Sequence, residues 1–243
     1  HLPGTTSLDG ATLVAALRDV IKEFARHGVR RICLMNGHFE NSWFIIEGID
    51  LALRELRWSG IDDMKIVVLS YWDFVDPATI ERLYPDGFTG WALEHGGVLE
   101  TSLMLALHPH LVALERAVDH PPAEFPPYDV YPPRPDWTPP SGTLSSPRQA
   151  SKEKGEILLE VCTAGIVQAL GTLGTPEVVP PLLAFLRLYH ADAAAQGMSL
   201  ALEAAMNAAC ELDPTATMPV LEEVAHDEQS GTRLRLRAQH LLE

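Results

Sequence analysis

A histidine and a glutamate one residue apart, His38 and Glu40, offer a nitrogen and a carboxylate that could form half of a divalent-metal site. They lie in Asn36-Gly37-His38-Phe39-Glu40-Asn41, between the apolar run Ile32-Cys33-Leu34-Met35 and a stretch from Ser42 to Arg57 with helix-like apolar spacing. A loop at the carboxyl end of a parallel strand is where open α/β sheets place their chemistry. Gly37 there lets the backbone approach a ligand closely. Further along, Trp72 closes a second apolar run, and Trp91 follows the glycine-flanked Gly87-Phe88-Thr89-Gly90. Glu94-His95-Gly96-Gly97 then opens what reads as a helix over 94–107. Taken singly, His38 also fits a hydrogen-bonded structural residue, each tryptophan a core residue and His95 a helix end. Together they describe an aromatic-walled pocket with a proton donor beside a metal-bound water, suited to hydrolysis of a small, flat, neutral amide.

The elements needed to position these residues are legible from pattern. Ser7 or Asp9 can cap a helix from about Ala11 to His27, with Leu13, Val14, Leu17, Val20, Ile21 and Phe24 on one face. Residues 30–35 and 65–71 read as strands, the second almost wholly apolar, as in a strand covered on both faces. The order helix, strand, helix, strand implies βαβ connections and a parallel sheet. Prolines between about 121 and 147 exclude regular helix or central strand; a linker is one reading, but the aromatics Phe125, Tyr128, Tyr131 and Trp137 suggest an extended arm packed on a surface, of a kind that often reaches a neighbouring subunit. A helix from Lys152 to about Leu170 closes this α/β portion, residues 1–172. Residues 175–243 are helical by pattern, with two phrases, Pro176-Glu-Val-Val-Pro-Pro and Thr215-Ala-Thr-Met-Pro-Val, offset by roughly 40 residues. That spacing loosely resembles HEAT-type helical repeats and makes 176–243 a candidate protein-binding surface; an unrelated helical tail is the alternative.

The formal charge of −15 argues against nucleic acid or an anionic membrane as partner. Cys33, Cys162 and Cys210 are far apart in apolar contexts and read as free thiols of a reducing, cytoplasmic compartment. No uninterrupted apolar stretch approaches the ~18 residues of a membrane span.

The segments Pro3-Gly-Thr-Thr-Ser-Leu-Asp, Leu34-Met-Asn-Gly-His-Phe-Glu-Asn, Glu47-Gly-Ile-Asp-Leu, Val68-Leu-Ser-Tyr-Trp-Asp-Phe and Glu94-His-Gly-Gly-Val-Leu-Glu resemble the creatininase (creatinine amidohydrolase) family. Asp119-His-Pro-Pro and Gly142-Thr-Leu-Ser-Ser carry the resemblance to about residue 168, some two-thirds of the chain. It implies a three-layer α/β/α fold, a hexamer, and two divalent metals such as Zn²⁺ and Mn²⁺. It makes His38 and Glu40 metal ligands, one to each ion. Trp72 and Trp91 become aromatic residues flanking the substrate, and Trp91, Ala92, Leu93, Glu94 and His95 its binding loop, with His95 the proton shuttle and Glu94 a catalytic residue beside it. The implied reaction is opening of creatinine to creatine by a metal-bridging hydroxide, His95 protonating the departing ring nitrogen.

Two residues depart from the family pattern. Phe39 stands where a tyrosine is usual and Ala92 where an acid is usual, which opens a formamide or another cyclic amide as alternative substrate. The resemblance also implies an earlier segment with a Glu-x-His pair and a metal-bridging Asp. Before Asn36 the candidate donors are His1, Asp9, Asp19, Glu23 and His27; the acids and His27 read as a cap and exposed helix positions. The expectation is a fragment or truncated product whose sheet lacks its first strands and which does not turn over creatinine as it stands. A non-catalytic remnant joined to a helical scaffold is the reading from another class.

Overall fold

The computed structural model describes residues 6–132, 134–174, 176–195 and 197–243. Most of the Pro3-Gly-Thr-Thr phrase, and His1, lie outside the described residues. The chain forms two compact units, one of Val75–Cys162 and one of residues 6–74 together with Thr163–Glu243.

Residues 6–74 hold the sheet. Helix α1, Gly10–Arg26, is followed by strand β1, Arg31–Asn36, helix α2, Asn41–Trp58, and strand β2, Lys65–Ser70. The strands pair in parallel, from Arg31 opposite Lys65 to Asn36 opposite Ser70, as the βαβ pattern requires. Asp9 occupies the cap position of α1, but its side chain makes no cap bond; its carbonyl accepts from the Leu13 amide at 3.0 Å. Ile21 and Ala25 of α1 pack with Ile32, Ala52 and Leu56 in a small core. Val20 and Phe24, which spacing assigns to the apolar face, are exposed. The stripe predicted for α1 is therefore wider than the surface its neighbours cover. Gly48, inside α2, is explained by contact: a Cβ there would lie 2.9 Å from Leu17 Cβ, so the two helices meet backbone to side chain.

In the other unit, helix α3, Pro77–Leu83, starts at Asp76, whose carboxylate accepts from the Thr79 amide at 2.7 Å. Helix α4 spans Val98–Leu107 and helix α5 Lys152–Gly171. The core here joins Leu83, Tyr84, Val98, Leu99, Ala150 and Leu158. The predicted helix start at Glu94 is corrected. Trp91–Leu93 is a 3-10 turn, and the α-helix begins only at Val98. Gly96 has φ of +62°, outside the helical region, so the chain turns before α4 can start. The proline-rich stretch contains no regular helix or strand among its described residues, only short 3-10 turns at Pro135–Trp137 and Pro147–Gln149.

Four helices end the chain: α6, Val179–Tyr189; α7, Ser199–Leu212; α8, Pro214–His226; and α9, Thr232–Leu242. Helix α6 packs on α7 and α8, and α9 on α7 and α8. They enclose a core of their own, from Leu182 and Leu186 through Leu202 and Met206 to Val220, Leu221 and Leu234, which Val167 of α5 joins. Arg233–Glu203 at 2.7 Å and Arg237–Asn207 at 2.8 Å stitch α9 to α7. None of the described helices is long and apolar enough to cross a membrane.

Candidate active site

Parallel pairing brings the ends of β1 and β2 to one edge of the sheet, so Gly37–Glu40 and Trp72 emerge side by side. The buried Asn36 organises the first loop. Its Oδ1 accepts from the His38 amide at 3.1 Å and from Asn41 Nδ2 at 3.4 Å, and its own Nδ2 donates to Ser42 Oγ at 3.2 Å. One side chain thus ties the strand end, the loop and the start of α2 together. His38 Nδ1 lies 2.6 Å from Glu40 Oε2, with both side chains largely open to solvent. Phe39 is 62% exposed and stacks edge-on against Trp43 at 5.6 Å. Trp72 sits in a 3-10 turn, edge-on to Tyr71 at 5.0 Å, and Asp73 fixes that turn by accepting from the Ser70 amide at 2.7 Å. Leu13, Leu17, Leu34, Met35, Gly37 and Ile45 help line a hollow of about 130 Å³ beside the loop.

A metal is implied by the resemblance, and the donor set can be tested against it. His38 and Glu40 point at one another, but among the described residues no group of three or more His, Cys, Asp or Glu side chains is arranged to hold a metal ion. A catalytic zinc takes about three protein ligands. The described residues do not by themselves make a complete metal site.

The other unit holds the remaining candidates. Trp91, Ala92 and Leu93 form the 3-10 turn, with Gly90 before them at φ of +103°. Trp91 packs edge-on against Phe88 at 5.2 Å, and Phe88 against Tyr84 at 4.9 Å, an aromatic run behind the turn. Glu94 is only 6% exposed. The Tyr84 hydroxyl donates to its Oε1, and the Leu99 amide at the start of α4 donates to its Oε2 at 3.0 Å. Burial pushes this carboxyl above the ordinary glutamate range, and the two hydrogen bonds pull part of the way back.

A strap formed by residues 141–145 holds the same segment from behind. Ser145 Oγ donates to the Leu93 carbonyl at 3.0 Å, and the Leu144 amide donates to the His95 carbonyl at 3.0 Å. His120 Nε2 lies 2.9 Å from Thr143 Oγ1 and 3.0 Å from Ser141 Oγ, anchoring the strap. A Cβ on Gly96 would meet Thr143 Cγ2 at 2.8 Å, so this turn accepts only glycine beside the strap.

Sequence reasoning missed Asn36 as the hub, Tyr84 as the partner of Glu94, and the strap. The Gly142-Thr-Leu-Ser-Ser phrase was a signal for the strap, since it belongs to the resembling segments. Nothing in the sequence singles out Tyr84.

With this geometry in view, comparison with known proteins decides the family. The creatininase profile, described as creatinine amidohydrolase, matches residues 1–170. The chain belongs to the creatininase family. A creatinine amidohydrolase of Pseudomonas putida is 69% identical over 171 residues, which are 70% of this chain and 66% of that protein. The chain thus spans slightly less than two-thirds of that relative's length. Among solved structures, a crystal structure of creatinine amidohydrolase (creatininase) superposes with a TM-score of 0.69 at 70% identity, covering 71% of this chain and 67% of that one. A manganese creatininase gives 0.66 at 70% identity, over 68% and 65%. A glutamate-to-glutamine mutant creatininase complexed with creatine gives 0.66 at 69% identity, over 68% and 66%. The α/β fold expected from the sequence is that of these relatives, with α6–α9 beyond the family match.

A second hollow lies elsewhere. A groove of about 680 Å³ on α6 and the α7–α8 turn is lined by Val179, Leu183, Leu188 and Ala216, with Arg187 and Asp213 as its polar members. Arg187 pairs with Glu223 at 3.3 Å and Asp213 caps α8, so both are already engaged structurally.

Proposed function

We propose that this chain carries the substrate-handling part of a creatinine-opening amidohydrolase. The observation that supports it most is the 69% identity to a creatinine amidohydrolase over 171 residues. The family match, residues 1–170, includes both the His38–Glu40 loop and the Trp91–His95 turn. In this reading Gly37, Phe39 and Trp72 at the strand ends are substrate-contacting residues, and so, in the other unit, are Trp91, Ala92 and Leu93 of the turn. His95 transfers a proton to the departing ring nitrogen, and Glu94 beside it is the buried carboxyl that holds the proton-transfer geometry. His38 and Glu40 would be among the residues that hold a divalent metal, which when bound would supply Lewis-acid activation of water. Among the described residues two donors lie together, and such a pair holds a metal ion weakly, so turnover of creatinine is expected to depend on added metal.

The test is a substrate panel at millimolar Zn²⁺ or Mn²⁺: creatinine, a formamide and a second five-membered cyclic amide. Creatinine opened fastest supports the proposal. Faster hydrolysis of either other compound overturns it in favour of a same-fold enzyme altered by Phe39 and Ala92.

One observation favours a second reading. Among the described residues no group of three or more donors is arranged to hold a metal, while α6–α9 share a core that Val167 of α5 joins. A non-catalytic creatininase-type protein that binds a partner through a HEAT-like region at 175–243 fits both. A partner that co-purifies with the full chain, without bound metal, would carry this reading. Assembly as a homo-oligomer of the hexameric kind belongs to the first reading and is checked by light scattering.

A further inference from the structure

Glu94 is the most deeply buried carboxylate among the described residues, and each of its oxygens has its own donor. Oε2 takes the Leu99 amide at the first turn of α4, where the helix N-terminus favours negative charge. Oε1 takes the Tyr84 hydroxyl. Tyr84, at the end of α3, is itself buried in the core with Leu83 and Leu99. Its ring faces two ways. Phe88 packs on it at 4.9 Å and passes the contact to Trp91 at 5.2 Å. The Lys154 ammonium of α5 lies 5.6 Å from the ring centroid, in cation–π range. One residue thus touches both the buried carboxyl and the aromatic run behind the substrate-side tryptophan.

We propose that Tyr84 is a positioning residue for the site, its hydroxyl fixing Glu94 and its ring backing Trp91 through Phe88, with Lys154 clamping the ring. This deepens the proposed amidohydrolase reading and rests on it for the role of Glu94. The charged and titratable groups facing Glu94 are Tyr84 from α3, Glu100 from α4 and Lys154 from α5; Asp86 faces Lys154, and His95 is the chain neighbour. Burial raises the Glu94 carboxyl; the Tyr84 and Leu99 hydrogen bonds and the Lys154 charge lower it, while Glu100 raises it. Removing a group that stabilises the carboxylate must move its titration upward.

The experiment titrates the Glu94 carboxyl carbon by NMR in the full chain labelled at glutamate carboxyls, the signal assigned by its loss in Glu94→Gln. Tyr84→Phe deletes one oxygen and keeps the ring, so the fold and the Phe88–Trp91 contact remain. The proposal expects the Glu94 midpoint to rise in Tyr84→Phe and in Lys154→Met, and to return toward the starting value in Lys154→Arg. A folded Tyr84→Phe whose midpoint is unmoved overturns it, as does a Lys154→Met midpoint that stays put. The readout does not depend on turnover. If the midpoint moves as expected while Glu94→Gln retains its creatinine rate at millimolar Zn²⁺, positioning stands and the catalytic reading of Glu94 falls.

Discussion

Leu99→Ala probes the packing on which the candidate site is built. Leu99 is 0% exposed, sits between Leu83, Val98 and Leu158, and its amide holds Glu94 Oε2. The substitution removes three carbons, or roughly 2.4 kcal/mol at about 0.8 kcal/mol per buried methylene. Because the surrounding helices close only partly over the gap, a cavity penalty adds to this, and leucine-to-alanine changes at such sites cost about 2.7–5 kcal/mol. A loss of about 3 kcal/mol corresponds to a fall of roughly 6–12 °C in melting temperature for a chain of this size. Differential scanning calorimetry reads it directly, with Leu236→Ala as the control, since Leu236 is 61% exposed and its truncation should stay within about 0.5 kcal/mol. The amide that holds Glu94 survives the change, so any loss comes from packing. A Leu99→Ala protein that melts no lower than the control would refute the buried placement of α4, and with it the surroundings assigned to Glu94.

Other outcomes follow from single features of the structure. Burial pushes the Cys162 thiol up to about 12, so it should resist aromatic disulfide reagents at pH 8 in the native protein and react only once urea unfolds the chain. The Glu94 carboxyl binds its proton more tightly folded than unfolded. Its contribution to stability is therefore present below the unfolded value and lost as pH rises through the folded one; urea midpoints should show Glu94→Gln gaining on the parent across that rise. Asp213 caps α8 through the Ala216 amide at 3.0 Å, and Asp213→Ala should cost about 1 kcal/mol, measurable as a lower urea midpoint.

Periodicity and strand position made much of the fold legible. The apolar runs at Ile32–Met35 and Ile66–Leu69 lie within parallel neighbours, and α1, α2 and α5–α9 fall close to where the spacing places them. Local signals failed where tertiary contacts decide. Glu94 and His95 looked like a helix start because Val98–Leu107 follows them, yet Gly96 turns the chain first, held against Thr143 some fifty residues on. Val20 and Phe24 matched the apolar stripe but found no covering neighbour. Helix α3 went unread, being only seven residues long. His38 and Glu40 were visible as a motif; Asn36 as the organiser of their loop was not, because its three hydrogen bonds exist only once β1 and α2 are formed. Tyr84 was beyond reach for the same reason, as its meeting with Glu94 depends on how α3 and α4 pack.

The central claim is tested most directly by following creatinine conversion to creatine with the purified chain at millimolar Zn²⁺ or Mn²⁺, bound metal being quantified in the same sample. The account predicts creatine formation that rises with bound metal and falls by about 100-fold or more in His95→Ala without loss of that metal. One or more metal ions bound per chain with no creatine formed, or a rate indifferent to His95→Ala, would contradict it.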